Sequence, residues 1–253
     1  MEMNRTIKNL VRNKYNSRNI IVRYIIRSLY LVKKVITDKE FRGIFSMKIL
    51  RNKSVHQTTP FTYMDRYPVI FSACRDYFRD INNIKVLSYG CSTGEEVLTL
   101  RKYFKDANIV GAEINKNSLD ICRSLKVDDK ITFINSNKKE IGRYGKYDLI
   151  FCMAVLQRTP ETITKQGIKS LKKIYPFEKF EKQIIELDKQ LNKGGLMVIH
   201  FSQYSFADVN ISSKYKALGN YNQDDYNSAI FDRNSNLITG PTSRRSIFVK
   251  LED

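Results

Sequence analysis

From Ile84 onward the chain alternates short apolar runs with amphipathic stretches. IKVLSYG, NIVGAEI, KITFINS, KYDLIFCMAV and GLMVIHFS read as strands. They are short, mostly apolar runs of seven to ten residues. EEVLTLRKYF, NSLDICRSL and FEKFEKQIIELDKQL read as helices, with apolar positions three and four apart. The Gly194-Gly195 pair is expected to stop the last of these. A further polar helix is expected to start near Thr159-Pro160. Strand–helix alternation predicts a doubly wound α/β fold with a mainly parallel sheet covered on both faces. Near the C-terminus NSAIFDRN and RSIFVKL lack a helix between them. They predict a closing hairpin that puts one antiparallel strand into a seven-stranded sheet.

The first part of the chain reads differently. Ile21, Ile25, Leu29, Val32 and Ile36 recur at helical spacing, with Arg23, Arg27 and Lys34 on another face. Residues 4–36 are therefore expected to be helical. The turn-rich RNKSVHQTTPFTYMDRYP follows, then a helix from about Tyr67 to Asp80. These shifts divide the chain into a basic helical N-terminal extension, 1–60, and a main domain, 61–253.

Charge sharpens that division. The net charge is +18, and the first 60 residues hold 14 Lys and Arg against 3 Asp and Glu. Nucleic acid, an anionic membrane and an acidic substrate are the partner classes this admits. The four cysteines, Cys74, Cys91, Cys122 and Cys152, are widely spaced and without a CxxC pair. They read as reduced packing residues of a cytoplasmic protein. No signal peptide, spanning segment or metal-ligand spacing is visible, and no metal is expected.

Candidate chemistry centres on LSYGCSTGEEVL, where the first strand meets the first helix. Gly90 and Gly94 suit a sharp turn and close ligand approach. The pattern is GxxxG, short of the dinucleotide GxGxxG, and no GK[ST] follows to make a phosphate loop. Glu95 and Glu96 in the first helical turn would repel a diphosphate and attract a cationic ligand. Glu113 ends the second strand 23 positions past Gly90, where an acidic side chain can accept from both hydroxyls of a ribose.

VLSYGCSTGEEVLTL, IVGAEINKNSL, YDLIFCMAVL and LNKGGLMVIHFS, in this order, resemble the successive motifs of class I S-adenosylmethionine-dependent methyltransferases. The resemblance covers about residues 66–206. It implies a Rossmann-like methyltransferase fold and S-adenosylmethionine as cofactor. GCSTGEE is similar to the turn of chemotaxis receptor glutamate methyltransferases. The lead-in HQTTPFTYMDRYP is similar to that of bacterial class I methyltransferases, many of unassigned substrate. Carried over, the resemblance places Gly90, Ser92 and Gly94 along the methionine portion, with Glu95 or Glu96 replacing the acidic residue usual at position 88, here Ser88. It places Glu113 on the ribose, Ile114 on the adenine face, Asn137 or Ser136 at the adenine edge, and Cys152 and Met153 beside the reacting centre.

A hydroxyl acceptor needs a base, and His200, His56 and Asp65 are the candidates, with Arg66 as an anchor for a carboxylate. The expected activity is O-methylation of a small molecule or of a glycan such as a surface-polysaccharide precursor. Protein glutamate methylation is the alternative, and RNA methylation ranks below it, because CMAVLQRTP lacks an Asn/Asp-Pro-Pro-aromatic motif. A fold that only binds the cofactor is the non-enzymatic reading. The basic N-terminus suits an anionic or membrane-linked acceptor and peripheral contact with the inner membrane face.

Overall fold

In the computed structural model, residues 20–50, 54–240 and 242–253 are described, so the part of the expected first helix before Ile20 lies outside them. The chain divides into two compact units, Met1–Arg51 and Asn52–Asp253. The smaller holds α1 (Ile20–Thr37) and α2 (Lys39–Leu50), the second of which the sequence pattern did not suggest. Asp38 links them, accepting from the Phe41 amide at 2.9 Å as a helix N-cap does.

The larger unit opens with the lead-in and α3 (Pro68–Tyr77), whose Pro68 sits in the first turn where its missing N–H does no harm. Then come β1 (Lys85–Tyr89), α4 (Glu95–Tyr103), β2 (Asn108–Glu113), α5 (Lys116–Ser124) and β3 (Ile131–Asn135). They continue with α6 (Lys138–Tyr144), β4 (Tyr147–Met153), α7 (Pro160–Lys165), α8 (Phe177–Asp188) and β5 (Leu191–His200). The short β6 (Tyr215–Ala217) and β7 (Ile247–Lys250) close the sheet. The strand order is β3-β2-β1-β4-β5-β7-β6. The first five strands are parallel, and β7 runs antiparallel to both β5 and β6.

Alternate strand residues feed two cores. Leu87, Val110, Ile150 and Met197 pack with Phe177, Phe180 and Ile184 of α8. Val86, Ile109, Leu149, Phe151 and Val198 pack with Ile70 and Phe71 of α3, Leu100 of α4 and Leu119 of α5. The sheet is thus buried on both faces, as its near-continuous apolar strands require. All four cysteines are free and buried.

Three expectations need correction. The closing antiparallel strand is present, but its partner is Tyr215–Ala217 rather than NSAIFDRN. Phe231 in that segment is fully buried through loop packing, with only a single bridge to Leu237. Gly194 and Gly195 do not cap α8, which ends at Asp188; they lie inside β5, where the pairing with β4 shifts register. Finally, α6 was not foreseen, although Asn137 caps it by accepting from the Glu140 amide at 2.9 Å.

Candidate functional site

The strand order reverses between β1 and β4, and ligands of such sheets bind beyond the strand ends at that point. The glycine turn lies there. Gly90 and Gly94 have φ of +81° and +103°, a backbone that side chains disfavour. A Cβ on Gly90 would stand 2.4 Å from Cγ2 of Val155, in the loop after β4. The turn and that loop are interlocked.

Glu113 ends β2 almost fully buried. One carboxylate oxygen accepts from the Ser92 amide at 2.9 Å, the other from the Asn115 amide at 2.6 Å. Burial raises its pKa, and these backbone donors oppose the rise. Each oxygen has a second lone pair, so the group is fixed in place and still able to accept two hydroxyls. Ile114 beside it is partly exposed.

Across the turn, Ser88 Oγ donates to Glu96 Oε1 at 2.7 Å. Burial pushes the Glu96 carboxyl up to about 7, while the Ser88 hydrogen bond and the Arg66 charge pull it back. The residue as a whole is half-buried. The Arg66 guanidinium lies among the rings of Phe61, Tyr63 and Tyr67, at 5.1, 5.6 and 5.0 Å. Tyr67 is buried, and its hydroxyl has no hydrogen-bond partner. That orphaned donor stands within electrostatic reach of Arg66 and Glu96.

The ends of β4 and β5 form the remaining wall, with Met153 in register opposite His200. Ser92, Ala154 and Phe201, which follow β1, β4 and β5, all have left-handed backbones, with φ of 52°, 56° and 56°. For a phenylalanine this is strained, and such strain collects where ligands bind. Phe201 stacks on His200 at 4.3 Å and on Tyr226 at 5.2 Å; Tyr67 meets His200 edge-on at 5.1 Å. Arg244 lies over Tyr226, whose hydroxyl donates to Gln157 at 2.6 Å. His200 Nδ1 bonds Ser246 Oγ at 2.8 Å, and burial lowers its pKa to about 4, so the ring is neutral at pH 7.

The family described as "Methyltransferase domain" matches residues 81–237, more than half of the chain. The chain belongs to this family. A curated relative, Uncharacterized protein RP028 of Rickettsia prowazekii (strain Madrid E), is 23% identical over 123 residues, 46% of this chain and 49% of the relative. The chain thus matches about half of that relative's length. Among solved structures, the plantazolicin methyltransferase BpumL in complex with SAH is 17% identical, covering 78% of this chain and 60% of that chain, with a TM-score of 0.38. WbdD is 16% identical over 78% of this chain and 44% of that chain, with a TM-score of 0.44.

The chain carries a methyltransferase domain, and its residues fit the S-adenosylmethionine that the motif resemblance implies. Two buried polar atoms without partners, Tyr67 Oη and Asn115 Nδ2, belong to residues beside Glu96 and Glu113 respectively. The other residues expected in the methyltransferase site also make contacts within the protein. Glu95 accepts from Thr93 Oγ1 at 2.7 Å, and Glu96, not Glu95, reaches Ser88. The Asn137 carboxamide oxygen caps α6 and its nitrogen donates to Asn135, whereas the Ser136 amide donates to the Glu113 carbonyl. Cys152 and Met153 are buried strand residues of the two cores.

Two of the base candidates are engaged elsewhere. His56 is buried, with Nδ1 2.7 Å from the Tyr175 hydroxyl and Nε2 3.3 Å from Gln183. Burial and the Lys179 charge lower its pKa to about 3. Asp65 accepts from the Tyr103 hydroxyl, and its amide donates to Thr99 Oγ1, both at 2.9 Å. With Ser92 Oγ donating to the Pro60 carbonyl at 3.2 Å, these bonds hold the lead-in across α4. Tyr67, Phe201, Tyr226, Gln157 and Arg244 were not singled out from the sequence. The apolar run VIHF ending at Phe201 concealed the strain, and Tyr226 sits in a polar stretch without periodicity.

Proposed function

We propose that this methyltransferase transfers a methyl group from S-adenosylmethionine to an oxygen of a small molecule or glycan, a surface-polysaccharide precursor being the favoured acceptor. The observation that carries the reading is the Glu113 carboxylate, fixed by two backbone amides at the end of β2 and facing the glycine turn. In this reading Glu113 accepts from the ribose hydroxyls and Ile114 lies against the adenine, with Ser136 at its edge. Glu96, positioned by Ser88, takes the ammonium group, and Arg66 with the Tyr67 hydroxyl takes the carboxylate.

The cofactor supplies a methyl carbon activated on a sulfonium. The chain's own residues align it and the acceptor. His200, neutral because of its burial, receives the hydroxyl proton as the new O–C bond forms; an acceptor already ionised needs no base. Partly exposed Phe201 and Tyr226 rings suit the apolar face of a sugar, and Arg66 and Arg244 suit an anionic substituent. The enzyme acts in the cytoplasm, at the inner membrane face when the acceptor is membrane-linked.

The test pairs calorimetry of the purified protein against S-adenosylmethionine with methyl transfer to glycan, protein and RNA fractions. Binding of the cofactor and labelling of the glycan fraction are expected. Preference for NADH would overturn the cofactor reading, and labelling confined to RNA or to protein carboxyls would overturn the acceptor.

A further inference from the structure

Among the described residues of its unit, helix α1 carries an apolar surface that stays uncovered. None of its residues is buried, and Tyr24, Ile25, Leu29, Tyr30, Val32 and Ile36 keep 50–68% of their surface exposed. Soluble proteins rarely leave a contiguous apolar face of this kind. At 3.6 residues per turn, Ile25, Leu29, Val32 and Ile36 share an arc of about 60°, with Tyr24 on its flank. Arg23, Arg27 and Lys34 lie within about 40° of one another on the far side, and Lys33 lies between the two. The helix contains four basic residues and no acidic one.

Two occupants could cover such a face, a second copy of the helix or a lipid surface. Charge separates them. A second copy of the helix brings four more cations and no acidic residue, so it offers these charges no complement. An anionic bilayer offers apolar depth to the isoleucines and a negative surface to the cations. Among the described residues no helix is long and apolar enough to cross a membrane, so the geometry is that of a helix lying along the surface.

We propose that α1 is an interfacial anchor, inserting Ile25, Leu29, Val32 and Ile36 into an anionic phospholipid bilayer with its axis in the plane of the membrane. The side-chain length of Lys33, between the two faces, lets its ammonium group reach the headgroups while its stem covers apolar surface. This goes beyond the methyl-transfer reading and is independent of it, because the anchor lies in the smaller unit and every residue assigned to the cofactor lies in the larger.

The experiment is co-sedimentation of the full chain with phosphatidylcholine vesicles, with and without phosphatidylglycerol. Binding to the anionic vesicles at least roughly tenfold tighter than to neutral ones is expected, weakening as salt is raised. I25E/L29E should reduce that binding by roughly tenfold or more, and R23Q/K33Q/K34Q should remove the preference for phosphatidylglycerol. Both variants should bind S-adenosylmethionine as the parent chain does, which separates failure of the anchor from failure of the methyltransferase reading. No vesicle binding, equal binding to neutral vesicles, or binding indifferent to I25E/L29E would overturn the proposal. So would concentration-dependent dimerisation, in sedimentation velocity without lipid, that I25E/L29E abolishes.

Discussion

Ser88 Oγ donates to Glu96 Oε1 at 2.7 Å, so a serine–glutamate pair occupies the place where related methyltransferase motifs carry a single acidic residue at the end of the first strand. Burial raises Glu96 to about 7, whereas its unfolded value is near 4.5. A cationic ligand prefers the ionised form. Affinity for S-adenosylmethionine should therefore rise as pH passes from 6 to 8, and E96Q should flatten that profile and weaken binding at pH 8 by about 1.5–3 kcal/mol. Calorimetry across the range checks it.

The same group sets a stability slope in the ligand-free protein. Its folded pKa is raised, so its stabilising contribution is complete below the unfolded value and is lost as pH rises through the folded one. E96Q should accordingly gain about 2 kcal/mol relative to the parent between pH 5 and pH 8. Urea unfolding at the two pH values measures it, and a constant difference would remove the raised pKa.

Glu113 should tolerate change less well. E113A removes the proposed ribose acceptor and strands the Ser92 and Asn115 amides. Binding of S-adenosylmethionine should weaken by about 1.5–3 kcal/mol, and E113Q, which keeps an acceptor oxygen, should lose less. Unchanged affinity in calorimetry would refute the ribose assignment.

His200 has a pKa lowered to about 4, so it is already neutral across the physiological range. If it receives the acceptor proton, H200Q should lower kcat by roughly 10²–10⁴-fold without introducing or removing a titration between pH 5.5 and 8. An acid limb near pH 7 that survives in H200Q and vanishes in E96Q would assign that limb to Glu96.

Lys250 is 3% exposed and donates to the Asp188 and Leu191 carbonyls at 2.9 and 3.1 Å, while pairing with the Asp188 carboxylate at 3.1 Å. Tyr215 donates to the same carboxylate at 2.6 Å, tying β6 and β7 to the end of α8. K250M should destabilise the fold by about 3–5 kcal/mol, because it leaves Asp188 buried and unpaired. K250M/D188L should recover much of that loss in thermal unfolding.

The parallel half of the sheet was legible because each strand is apolar on both faces and each βα step begins with a glycine, asparagine or proline signal. The antiparallel end was not, since Tyr215–Ala217 pairs through its backbone and shows only one buried side chain. NSAIFDRN looked more strand-like because Phe231 is apolar, yet that ring is buried under a loop. The cofactor-side glycines and Glu113 stood out by spacing. Glu96 stood out too but could not be told from Glu95 until folding set a serine beside it, and Tyr67 and Phe201 were hidden, because their importance comes from an unanswered hydroxyl and a left-handed bend.

The contact between Gly90 and Val155 also limits how this enzyme can be redesigned or diversified. Val155 follows β4, and its methyl groups fill the space where a side chain at 90 would stand. Trimming Val155 leaves the bend at Gly90 unpressed, but enlarging it pushes on the bend proposed to hold the methyl donor. In the proposed site, variation at this position is therefore tolerated through loss of bulk far more readily than through gain.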